Sequence, residues 1–213
     1  ISSTSGDINF EDRTVTTPNA GFLFQAGNHV LSTSGDVNVQ ADEFRNASTT
    51  LAITADNFSI TPYTDESFDA DVNVGPSDGT NASSVTIGEA SNAANMTLNG
   101  AVTSGGTLAV HGANVALNAA TSAVTANVYS SGNVTQTAAA TISSLAMHGS
   151  GSYSLTNTSN SFVTIAAGSG GSKVGTLSIY DSSGGLTIGQ VGALEGITIT
   201  GDVLVEAGAG DIT

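Results

Sequence analysis

The chain has 213 residues, 26 of them glycine, with no cysteine or tryptophan and with aromatics at only 5%. Three basic residues, Arg13, Arg45 and Lys173, stand against 18 carboxylates, for a formal net charge of −15. This balance excludes nucleic-acid binding, which needs basic surface to displace phosphate counterions, electrostatic docking on anionic lipid, and disulfide or thiolate–metal chemistry. No apolar run reaches the roughly 18 residues of a membrane-inserted helix.

Hydrophobic residues nevertheless make up 39% of the chain, mostly Val, Ile, Leu and Ala, so the composition is not that of a disordered tract. Small and β-branched residues at this density suit a narrow, stacked core. In chain order, a short unit recurs: Gly, often Asp or Asn, then apolar–polar–apolar, then a small or turn residue. It opens as Gly6-Asp7-Ile8-Asn9-Phe10 and returns as Gly35-Asp36-Val37-Asn38-Val39. Leu51-Ala52-Ile53, Val72-Asn73-Val74, Val85-Thr86-Ile87, Met96-Thr97-Leu98, Leu108-Ala109-Val110 and Val115-Ala116-Leu117 follow. Residues 119–126 are mildly helical in composition but β-branched enough to read as another strand. Val163-Thr164-Ile165, Leu177-Ser178-Ile179, Leu186-Thr187-Ile188, Ile197-Thr198-Ile199 and Val203-Leu204-Val205 continue the series, and Gly210-Asp211-Ile212 echoes its start.

Alternation over three to five residues, bounded by Gly, Asn, Asp and Ser, predicts short half-buried strands, and no capped helical segment stands out. Two or three such strands make a turn of about 20 residues, within the range of solenoid repeats. The chain would then form about ten rungs advancing about 4.8 Å each, a rod of about 50 Å. Residues 9–33 and 56–82 break the rhythm and hold Pro18, Pro62 and Pro76, which points to loops or a side extension. The organisation expected is therefore a less regular start with acidic, proline-containing loops over residues 1–82 and regular repeats over 83–213. Charge divides the same way. Thirteen carboxylates lie at or before Glu89 and none between Ala90 and Tyr180, a span whose neutral Asn and Thr rungs can stack without like-charge repulsion.

Units such as Gly35-Asp36-Val37-Asn38-Val39-Gln40-Ala41, Gly185-Leu186-Thr187-Ile188-Gly189, Gly196-Ile197-Thr198-Ile199-Thr200-Gly201 and Gly201-Asp202-Val203-Leu204-Val205-Glu206-Ala207 resemble the degenerate repeats of filamentous-haemagglutinin-type exoproteins and large autotransporter adhesins. The resemblance covers most of the chain, most clearly residues 83–213. It implies an all-β fold, a right-handed parallel β-helix (β-solenoid), export across a bacterial envelope, and work in attachment, aggregation or biofilm. The chain opens at Ile1 inside repeat-like sequence, as expected of an excised fragment or of a chain whose signal has been removed.

Little catalytic chemistry is visible. His29, His111 and His148 lie apart in sequence, and His111 and His148 each precede a glycine, the position of an exposed turn residue. A glycosidase needs two facing carboxylates, for which only the loop around Asp65, Glu66, Asp69 and Asp71 offers candidates. That loop, with Asp78 following, also carries the hard oxygen ligands that calcium takes, making calcium the one cofactor the sequence would support. It has neither the EF-hand pattern nor the β-roll nonapeptide. The Gly168–Lys173 stretch has the wrong glycine spacing for a phosphate loop.

Two functions are expected, neither enzymatic. The first is a passenger or stalk segment of a secreted, cell-surface adhesin whose partner is a glycan or protein of a host or neighbouring cell. The second is a self-assembling subunit of an extracellular filament or surface layer, whose partners are copies of itself. A polysaccharide-active β-helix enzyme is the weaker third reading.

Overall fold

The computed structural model describes residues 1–11, 22–25, 27–46, 50–62, 68, 72–74 and 80–213. Val, Ile and Thr crowd the backbone out of the helical region, while Gly, Asn and Ser interrupt each extended run after a few residues. Every regular element among the described residues is accordingly a strand.

The strands fall mainly into two parallel sheets that the chain visits alternately. The first contains the longer strands: Ile8–Glu11, Val37–Gln40, Thr50–Thr61, Thr80–Ile87, Val102–Gly112, Thr121–Ser130, Ala140–His148, Ser161–Ala167 and Thr187–Ile188, with Asn28–Ser32 also pairing to Thr50–Thr61. The second holds Val72–Val74, Met96–Leu98, Val115–Leu117, Asn133–Gln136, Ser152–Leu155, Leu177–Asp181 and Val203–Ala207. From Val102 to Asp181, one longer and one shorter strand make each coil, and each coil is hydrogen-bonded to the next. The architecture is the parallel β-solenoid that the repeats predict, with about seven turns.

Seven turns are fewer than the ten expected, and the rod is roughly 35 Å long at the usual strand spacing. The cause is unequal coil length. A 19-residue offset holds from Asn95 to Asn114 and on to Asn133. The offset is 29 residues from Asp7 to Asp36, 27 from Asn57 to Ser84 and 26 from Val174 to Thr200. Residues added between strands lengthen a coil without adding a rung. In the segments 9–33 and 56–82, expected as loops or a side extension, the described residues are mostly strand, Phe22–Phe24 and Val72–Val74 among them. Asn28–Ser32, residues 56–61 of Thr50–Thr61 and residues 80–82 of Thr80–Ile87 are strand rather than loop.

The core is a set of columns along the axis. Leu108, Ala126, Leu145 and Ile165 occupy successive coils in register, as do Val110, Val128, Met147 and Ala167. Across the lumen, Met96, Val115, Val134, Tyr153 and Leu177 form another column. All are buried. Small residues such as Ala126 leave room for large ones in adjacent coils.

The long strands also turn a corner. In Thr121–Ser130 the buried positions run 121, 123 and then 126, 128, 130, so the inward phase slips by one residue midway. In Ser161–Ala167 the same slip leaves Phe162 and Ile165 inside and Val163 outside, 55% exposed. Val163 and Ile165, two apart in an apparently simple alternating unit, therefore do not share a face. In Val102–Gly112 the corner coincides with a register shift at Gly105 and Gly106. A Cβ on Gly106 would sit 2.8 Å from the Ser83 carbonyl of the previous coil.

The columns make a direct expectation for stability. Leu145→Ala leaves a cavity in an apolar lumen and should cost about 2–5 kcal/mol in urea denaturation. The outward Val163→Ser should stay within about 0.5 kcal/mol. Equal costs would mean that the corner phase is misplaced.

Candidate functional site

Stacking in register repeats side chains outside the lumen as well as inside it. Asn95 and Asn114 each stand directly before a short strand, and Asn133 is the first residue of the next. Asn114 donates from Nδ2 to Asn95 Oδ1 at 2.7 Å and from its backbone N–H at 3.2 Å, and Asn133 N–H donates to Asn114 Oδ1 at 2.7 Å. After the short strands, Asn118 Nδ2 donates to Asn99 Oδ1 at 2.9 Å. Asparagine suits this role because its amide both donates and accepts, so one coil's amide satisfies the next.

Polar groups inside the wall are also paired. Asn160 is fully buried; its Oδ1 accepts from Ala140 N–H at 2.9 Å and its Nδ2 donates to Leu155 O at 3.0 Å. Asp181, equally buried, accepts from Phe162 N–H at 2.8 Å and from the Ser183 hydroxyl at 3.0 Å. These serve the backbone and leave little reactive capacity.

The most distinctive constellation lies where three long strands end. His111, Tyr129 and His148 are register partners on successive coils. Their rings stack face to face, with centroids 4.0 Å apart and 6° between planes for His111–Tyr129, and 4.1 Å and 13° for Tyr129–His148. The coil spacing slightly exceeds a ring-stacking distance, and a small tilt brings the rings into contact. In the adjoining coils, Gly88 and Gly168 follow the strand ends at Ile87 and Ala167, so the stack holds three rings. Gly149, directly after His148, has φ +87°, and a Cβ there would collide with the Ser130 carbonyl. The turn that releases the chain from the ladder therefore requires glycine.

Neighbouring groups hold the ladder in place. The buried Tyr153 hydroxyl lies 2.7 Å from both the Val128 and His148 carbonyl oxygens, tying the lumen to the last rung. Burial pushes the Tyr153 phenol above its ordinary range, so it remains a donor. At the other end Asn92 Nδ2 donates to the His111 carbonyl at 2.7 Å, fastening the 89–93 loop against the strand end.

His111 and His148 are thus half-buried strand residues rather than the exposed turn residues expected from the glycines that follow them. Among the described residues, Nδ1 of His111 and Nε2 of His148 are buried without a hydrogen-bond partner. Protonation would place a charge, and an N–H without an acceptor, in that buried position. Burial, helped by the second imidazole, accordingly lowers the His111 pKa from the usual 6.5 to about 4, and burial lowers that of His148. Both rings are neutral at neutral pH. An open groove of about 400 Å³ lies beside His111 and Tyr129, lined also by the 90–93 loop and by Ser130, Ser131, Ser150 and Ser172.

The calcium candidates Asp65, Glu66, Asp69, Asp71 and Asp78 lie outside the described residues, as do the carboxylates considered for glycoside chemistry. No group of three or more metal-ligating side chains occurs among the described residues. His29 is on Asn28–Ser32, in the early coils, and contacts Gln25 O at 2.9 Å. The ring ladder went unnoticed in the sequence because its members lie 18 and 19 residues apart and one is a tyrosine. The signal that would have found it is a ring residue closing successive long strands. Comparison with protein-family models, with curated proteins and with solved structures yields no match.

The neutral imidazoles set a pH dependence. Between about pH 6.5 and 4 the unfolded chain binds a proton at residue 111 that the folded chain refuses, so stability falls as pH drops through that window. His111→Phe, which keeps a ring in the stack and removes the proton site, should flatten the melting-temperature profile between pH 7 and 4. An unchanged profile would place the acid sensitivity elsewhere.

Proposed function

We propose that this chain is a segment of an extracellular β-solenoid, working as the adhesive or structural stalk of a bacterial surface protein and not as a catalyst. The observation that supports this most directly is how the chain uses its side chains. Lumen columns, asparagine ladders and the ring stack all run along the axis and join each coil to the next. A rod built this way carries load through backbone hydrogen bonds and holds exposed side chains on a stiff scaffold, the arrangement that recognition surfaces favour. The repeat resemblance to filamentous-haemagglutinin-type exoproteins points the same way. The net charge of −15 keeps such a rod soluble and away from nucleic acid. Its partner would be a glycan or protein on a host or neighbouring cell.

The test is display. Cells or beads carrying this chain should attach to other cells, or to immobilised surface material, well above carriers of an unrelated solenoid. Attachment equal to the control overturns the adhesive part. Release of reducing sugar or unsaturated product from polysaccharides overturns the non-catalytic part.

A second reading has its own support. Val203–Ala207 is the last strand of its sheet, and Val203 and Leu204 are each about half exposed, as is Ile212 nearby in sequence. Another coil, from a continuation of the chain or a second copy, would cover them by β-augmentation. If copies stack end to end, electron microscopy should show fibres that lengthen with protein concentration, and Leu204→Lys should abolish them. Particles of constant length at all concentrations would rule the filament out.

A further inference from the structure

We propose that the groove beside the His111–Tyr129–His148 stack binds a neutral, polyhydroxylated polymer, a linear glycan lying along the solenoid axis. The inference deepens the stalk reading, on which it rests, by assigning attachment to a specific surface and ligand class.

Four observations converge. First, none of the residues lining the groove carries a carboxylate, ammonium or guanidinium, and its one imidazole, His111, is neutral at neutral pH. A charged ligand would lose hydration there without gaining a counter-charge. Second, the ring faces are already used: stacking at 4.0 and 4.1 Å leaves the edges of the inner ring, and not its faces, for contact with a ligand. Recognition by ring edges is recognition by hydrogen bonds, which disfavours a flat aromatic guest.

Third, hydrogen-bonding capacity is to spare. Among the described residues the Tyr129 hydroxyl makes no hydrogen bond within the protein and is not a buried orphan, so it faces solvent. The same holds for Nε2 of His111, while Ser131 and Ser150 are exposed beside them, one coil and two coils on. Donors and acceptors therefore recur once per coil along the axis, at about the 4.8 Å strand spacing, which matches a polymer of hydroxylated rings better than a compact molecule. Fourth, a peptide cannot add here as a strand. The three long strands are hydrogen-bonded on both sides to neighbouring coils, so the groove offers no free sheet edge.

The experiment measures binding of fluorescently labelled neutral hexasaccharides (cello-, chito- and manno-series) and of an acidic oligouronate to the purified chain by fluorescence anisotropy. Tyr129→Phe preserves the ring stack and removes only the hydroxyl; it should weaken binding of the preferred neutral chain about three- to tenfold. Ser150→Trp fills the groove and should reduce binding more than tenfold. Val163→Ser, exposed on a different part of the wall, should leave affinity unchanged. Thermal melts confirm that each variant is folded; Tyr129→Phe decides the matter if Ser150→Trp does not fold. The proposal is overturned if no neutral hexasaccharide binds, if the oligouronate binds better, or if binding ignores both Tyr129→Phe and Ser150→Trp. If glycan binding fails while displayed chains still attach cells, the groove assignment falls and the stalk reading stands. If oligosaccharides bind in the groove but displayed chains do not attach, the reverse holds.

Discussion

Everything in this molecule follows from hydrogen bonding between one coil and the next in parallel register. The ladder fixes the axial spacing and sets like position on like position, so whatever one coil carries at a given place must be compatible with its neighbours above and below. Inside, that condition is met by columns of Val, Leu, Ile and Ala whose sizes compensate from coil to coil. At the turns it is met by asparagine, whose amide passes a hydrogen bond along the axis. A carboxylate cannot propagate that way, because stacked carboxylates repel and have only acceptors. The absence of Asp and Glu between residues 90 and 180 accords with regular stacking.

The N-terminal coils show how the same constraint handles charge when it occurs. Asp36 lies one coil above Asp7, and its backbone N–H donates to the Asp7 carboxylate at 3.0 Å. Asp36 in turn accepts from Asn57, through Nδ2 at 2.7 Å, and Ser84 donates to Asn57 Oδ1. The column passes from carboxylate to amide to hydroxyl, so each acceptor finds a donor and like charges adjoin only once. Two of these coils, at 29 and 27 residues, are also the longest.

The ring stack is the same rule applied at an edge. Rings at the ends of three adjacent strands have no choice but to meet, and in meeting they exclude water from one nitrogen of each imidazole. The resulting pKa depression, the hydrogen bond from Asn92 to the His111 carbonyl and the tie from Tyr153 to the His148 carbonyl make this edge more than a row of turn residues. It presents polar atoms at regular intervals on a stiff wall, beside serines too small to fill the groove.

The sequence by itself was enough for the solenoid. Gly-punctuated units such as Val37-Asn38-Val39, Met96-Thr97-Leu98 and Leu177-Ser178-Ile179 are strands with the predicted faces inward, because three-residue alternation needs no information beyond itself. It was not enough where the answer depends on a partner one coil away. The Val163 unit reads as inward and is not, since the corner phase belongs to the whole wall of stacked strands. The strand Ala140–His148, rich in Ala and Ser, shows weak alternation and owes its form to neighbours on both sides. His111 and His148 look like isolated turn residues until coil length brings Tyr129 between them. Local pattern dictates that the backbone extends and turns. Which side chains meet depends on the number of residues in each coil, and that number is settled only when the coils stack.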